Sequence, residues 1–153
     1  MTTLDWFAID RPQPYVGMRY GYYYTLNGLP GRKETILKVG HSVDPYNSRG
    51  RYLSGLRLGK FDSSPIRAFA FPKSVLSPRR LETEALKQLR AKGFKRAGIT
   101  YKRADRDNDL ALARELLSGP SGLVANSTAW HEAVREAWTL AVLGGTTTLP
   151  VAG

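Results

Sequence analysis

Cysteine is absent from the chain, which excludes disulfides, thiolate chemistry and any cysteine-based zinc site. Histidine is almost as scarce: His41 and His131 are the only two, too few for a histidine-rich metal centre. No apolar run reaches the roughly eighteen residues that a membrane helix needs. Met1-Thr2-Thr3-Leu4-Asp5 also lacks the basic start and apolar stretch of a signal peptide, so a soluble, cytoplasmic protein without a membrane partner is expected. Acidic residues are the other shortage. The 153 residues carry 13 Asp and Glu against 23 Lys and Arg, a net charge of +10. Hydrophobic residues make up 42% and charged ones 24%, ordinary globular usage that excludes wholesale disorder and most simply means one domain.

The basic excess sits in one block. Residues 32–103 hold 18 basic side chains against Glu34, Asp44, Asp62, Glu82 and Glu84, whereas residues 1–31 are neutral and 104–153 are net acidic. So localised an excess favours a polyanion partner, nucleic acid before membrane, over a merely solubilising surface.

The elements follow from patterning. Tyr20–Leu26 is rich in aromatic and β-branched residues and reads as a strand, with Tyr20, Tyr22, Tyr24 and Leu26 alternating onto one face. Thr35–Gly40 is a second strand, reached through a turn-rich segment of hairpin length. Asp44-Pro45 supplies a cap and a first-turn proline for a helix to about Leu56. Ile66–Phe71 alternates as a third strand, and Ser77-Pro78 opens a second helix that Gly93 stops near Ala91. An extended piece near 99–102, a helix near 106–117 and a last helix over 129–142 complete the expectation, with a frayed tail from Thr146.

Four side chains need more than surface charge to explain them. Arg49 shares a helix stripe with Leu53 and Leu56, so it aims at the sheet, where a guanidinium needs a partner; Arg51 is turned towards solvent. Glu82 shares a stripe with Leu86 and Leu89 and points inward, whereas Glu84 aligns with Gln88. Lys38 interrupts an apolar strand two residues before Gly40, with His41 next. A phenol from the first strand completes a set suited to phosphodiester cleavage. An inward carboxylate in this set suits Mg²⁺, which commonly takes one or two carboxylates and keeps several waters. An arginine holds phosphate bidentately, and a neighbouring lysine charge favours a phenolate base. His131-Glu132 begins like a zinc-protease helix, but Arg135 stands where the second histidine belongs, so both are expected as exposed helix residues.

In order and spacing these residues resemble the GIY-YIG nuclease superfamily. Tyr22-Tyr23-Tyr24-Thr25-Leu26-Asn27 resembles its first motif, with the motif tyrosine on Tyr24, and Lys38-Val39-Gly40 resembles its second, with lysine in place of tyrosine. Restriction-endonuclease and short phage-type branches are similar in that lysine and in a histidine after the glycine, as His41 is here. The family's helix arginine falls on Arg49, with Arg51 as rival, and its metal-binding glutamate on Glu82, with Glu84 as rival.

The resemblance implies an α+β fold in β-β-α-β-α order: a small three-stranded antiparallel sheet with flanking helices over residues 20–103. An N-terminal extension would cover 1–19, and C-terminal helices and a tail over 104–153 would pack on the core. It also implies a DNA endonuclease using Mg²⁺ or Mn²⁺. Glu82 would hold the metal, Tyr24 helped by Lys38 would deprotonate water, Arg49 would clamp phosphate and His41 would assist. Arg51, Arg57 and Lys60 would hold the nucleic-acid backbone. The alternative is a module with this fold that binds nucleic acid without cutting it. A helix carrying Trp130 and Trp138 offers a surface through which two copies would form a homodimer.

Overall fold

The computed structural model describes residues 4–14, 16–56, 59–73, 77–102, 110–112 and 114–147. Its strands are β1 (Phe7–Ile9), β2 (Tyr20–Asn27), β3 (Ile36–Ser42), β4 (Asp62–Ser63), β5 (Ile66–Ala70), β6 (Lys95–Arg96), β7 (Thr100–Lys102), β8 (Leu110–Leu112) and β9 (Leu116–Ser118). The helices are α1 (Pro45–Leu56), α2 (Pro78–Ala91) and α3 (Thr128–Thr147).

The class is α+β, but the sheet has seven antiparallel strands where three were expected. Its order is β1-β5-β2-β3-β9-β6, with β4 beside the end of β2, while β7 and β8 form a separate ribbon. The expected hairpin is there: β2 and β3 pair from Tyr20↔Ser42 to Leu26↔Ile36. The added strands are short pieces whose pairing depends on distant partners. Phe7–Ile9 docks on β5, and Leu116–Ser118 docks on β3 in the register Ile36↔Ser118. The helix expected near 106–117 is not formed: residues 110–112 and 116–118 are strands, and 103–109 lie outside the described residues. Its leucines and alanines favour a helix locally, yet β7 gives Leu110–Leu112 a ladder and the open edge of β3 gives Leu116–Ser118 another.

β2 is buried on both faces, so the sheet is the middle of three layers. On one face Tyr23, Leu37, Val39, Phe69 and Leu117 pack with Leu81, Leu86 and Leu89 of α2 and Trp130, Val134 and Trp138 of α3. On the other face Tyr20, Tyr22, Tyr24, Leu26, Ile36 and Ile66 meet Tyr46, Tyr52 and Leu53 of α1. α2 begins as its sequence implies, with Ser77 as N-cap accepting from the Arg80 amide and Pro78 in the first turn. Gly93, at φ 98°, lets the chain leave the helix. α3 runs on through Gly144 and Gly145 to Thr147, five residues past the expected end. Trp130 and Trp138 are 1% and 0% exposed. Their face of α3 belongs to this chain's own core, which removes it as the expected surface for a second copy. No helix among the described residues is long and apolar enough to cross a membrane.

Candidate active site

The site is built where β9 stops. The first half of β3 is laddered to β9, and the Val39 amide donates to the Glu115 carbonyl at 3.1 Å. Past that bond, Gly40–Ser42 pair with β2 alone among the described strands. The uncovered flank opens a cavity of about 450 Å³ lined by β3, α2 and the turn before β9. Because the cavity wraps around a strand edge, it collects side chains from both faces of the sheet: Lys38 from the α1 side and His41 from the α2 side.

Lys38, His41 and Glu82 meet there. His41 Nδ1 lies 3.0 Å from Glu82 Oε1, and the two side chains are 22% and 16% exposed. An ionised carboxylate only accepts, so Nδ1 carries the proton in this contact and Nε2 is the ring's acceptor when the imidazole is neutral. Phe71 stacks against the ring at 6.4 Å and fixes its plane. Glu82 reaches the cavity because Leu86 and Leu89 pull its helix face inward, as the stripe implied; Glu84 instead accepts from Gln88 one turn on.

Lys38 is only 4% exposed. Its Nζ donates to the Val39 carbonyl at 2.7 Å and lies over the rings of Tyr52 and Tyr22, at 4.4 and 5.7 Å. No carboxylate among the described residues forms an ion pair with it. Burial therefore holds its pKa below the ordinary lysine value, against the opposing pull of Glu115 and Glu82.

Tyr24 and Arg49 do not line the cavity. Tyr24 is fully buried behind Tyr22, the two rings stacked at 6.0 Å, and its hydroxyl has no hydrogen-bond partner among the described residues. Burial raises its pKa, with Tyr22 and Tyr52 adding to the rise and Arg49 opposing it. Arg49 faces the sheet, yet what it meets is not an anion. Its Nη1 donates to the Ser64 carbonyl at 3.0 Å, and its guanidinium lies over Tyr24 and Tyr46 at 5.9 and 5.7 Å. Pro65 breaks the edge there, and the arginine ties α1 to that break. Arg51 and Lys60 are exposed; Arg51 lines a neighbouring hollow with Tyr22, Ser48, Tyr52 and Gly55. Arg57 lies outside the described residues.

Of the residues missed from sequence, two lie on α2 and three on short segments with no local signature. Arg79 and Arg90 of α2, Arg96 of β6, and Arg114 and Glu115 of the turn before β9 complete the cavity wall. No protein-family model, curated protein or solved structure matches this chain. The functional reading rests on its own residues. Tyr22 is the phenol that faces the cavity, and the register explains why: it pairs with Gly40 and lays its ring across that glycine. Burial raises its pKa, helped by Glu82 and Glu115. A Cβ at Gly40 would collide with the Tyr22 hydroxyl and Cζ. Gly40→Ala is therefore expected to cost ~1–3 kcal/mol by forcing that ring off its place. Gly50→Ala, in the α1 interior with open space around it, should instead stabilise by ~0.5–1 kcal/mol. Urea unfolding of both variants checks the contrast in sign.

On the opposite side of β2, His131 is half-buried, not exposed as expected, while Glu132 is exposed. Its Nδ1 lies 2.9 Å from the Tyr23 hydroxyl, which accepts from Arg135 Nε at 3.2 Å. Burial lowers the His131 pKa, and Arg135 and Arg67 lower it further. The trio fastens α3 across β2.

Proposed function

We propose that the protein hydrolyses phosphodiester bonds in DNA with a divalent metal, in the manner of the GIY-YIG nucleases that its motifs resemble. The observation that carries this reading is the meeting of Glu82, His41 and Lys38 in one cavity whose wall also holds Arg79, Arg90, Arg96 and Arg114.

The donor set fits Mg²⁺ or Mn²⁺. Two carboxylates, Glu82 and Glu115, line the cavity, whereas no group of three or more His, Asp or Glu gathers among the described residues to make a closed cage. Glu82 would hold the ion, with Glu115 on the same wall. Bound there, the ion supplies Lewis acidity at the phosphate and lowers the pKa of its water. The chain's own groups do the rest. The four exposed arginines draw in and orient the strand. His41, held through Nδ1 by Glu82, presents Nε2 to take or return a proton. Tyr22, kept a neutral phenol by burial, lies beside Lys38 and offers its hydroxyl to the strand or its water.

The test is purified protein with plasmid and linear DNA, in Mg²⁺, in Mn²⁺ and in EDTA. Nicking that needs the metal is the expected result. Salt-sensitive binding that leaves the DNA intact in all three buffers would overturn the reading in favour of a module that holds nucleic acid without cutting it.

A further inference from the structure

Lys38 is not placed as a phosphate-binding lysine should be. Such a lysine keeps its ammonium in water and reaches outward, as the arginines around the cavity do. Lys38 instead rises from the middle of a paired strand, between Leu37 and Val39, which are both fully buried. Its amine ends against two tyrosine rings and donates to the Val39 carbonyl, with no ion-pair partner among the described residues. It nevertheless forms part of the cavity wall, beside four guanidinium groups. A desolvated amine at the base of an anion-binding cavity is the arrangement that makes lysine a nucleophile towards carbonyl carbon.

We propose that Lys38 forms an imine with an aldehyde carried by an anionic strand, and that the substrate class is DNA with an abasic site, whose ring-opened sugar carries that aldehyde. The choice of substrate rests on the reading that this cavity takes DNA. The arginines would hold the phosphates on either side of the missing base. With no base present, the sugar is slender enough to approach Nζ between Tyr22 and Tyr52.

The chemistry balances without an oxidant or reductant. The neutral amine adds to C1′ to give a carbinolamine. The carbonyl oxygen then leaves as water with the two amine protons, and the C=N bond remains. Protonated, that imine acidifies C2′. Loss of the C2′ proton to solvent water breaks the C3′–O bond, and the phosphate leaves with the electron pair. Hydrolysis of the imine returns Lys38. Lowered basicity at Lys38 favours the first step, because only the free amine attacks.

The experiment uses the full chain, an oligonucleotide with a single abasic site and sodium borohydride, all in EDTA. Reduction should give a covalent one-to-one complex, and peptide mapping of the wild-type adduct should place the link on Lys38. Lys38→Arg keeps the charge and should lose the trapped complex, and an intact oligonucleotide should give none. No trapped species, or an adduct confined to other lysines, would overturn the proposal. Mapping the wild-type adduct decides this even if Lys38→Arg fails to fold. Failure of trapping with metal-dependent nicking intact removes this inference alone, and trapping without nicking removes the hydrolytic reading alone.

Discussion

Glu82→Gln should reduce metal-dependent cleavage at least about 100-fold while DNA binding at low salt changes little. The carboxylate has two jobs in one cavity: it fixes His41 through Oε1, and it is the group best placed to hold a divalent ion. The amide keeps the size and can still meet the imidazole, but it removes the negative charge that a hard cation needs. The arginines that bind the strand are untouched. Supercoiled-plasmid nicking and a salt titration of binding, measured on the same preparation, separate the two effects. Cleavage by the variant at the wild-type rate would remove Glu82 from the mechanism.

Lys38→Met should give a protein that is more stable and less active. Burying an unpaired ammonium is unfavourable, and methionine fills nearly the same volume without the charge, so a gain of ~1–3 kcal/mol is expected at neutral pH. The pH dependence gives the sign. The folded-state pKa of Lys38 lies below its unfolded value. Between the two, the unfolded chain binds more protons, so wild-type stability rises with pH. Below the folded pKa the penalty is fully present; as pH climbs towards the unfolded value of about 10.4, it disappears. The advantage of the methionine variant should therefore be largest at low pH and shrink as the buffer becomes alkaline. Denaturant melts of both proteins across that range test it, and a pH-independent difference would show that packing, not charge, sets the effect. Loss of nicking in a more stable variant would mark Lys38 as a residue kept for chemistry against the interest of the fold.

Much of the scaffold was legible because its information is local. Asp44-Pro45 and Ser77-Pro78 start helices through side-chain caps and a fixed φ, and Gly93 ends one through a positive φ. The inward stripe of α2 puts Glu82 against the sheet from heptad-like spacing alone. Arg49 was legible in direction but not in partner. The spacing aimed it at the sheet, yet the carbonyl it meets belongs to Ser64, on a segment broken by Pro65.

The sequence by itself determined a basic α+β chain with a tyrosine-rich hairpin, two capped helices, an inward arginine and carboxylate, and a lysine set into an apolar strand. It could not choose between Tyr22 and Tyr24, since residues two apart in a strand share a face. Only the register, which sets Tyr22 opposite Gly40, puts one phenol in the cavity and the other behind it. Nor could it join His41 to Glu82, or turn Leu116–Ser118 into a strand whose preceding turn delivers Arg114 and Glu115. Caps, turns and periodicity act within a few residues, so the chain displays them directly. A site at the edge of a sheet depends on which distant strand pairs and where its pairing stops, and that is settled only when the whole core packs.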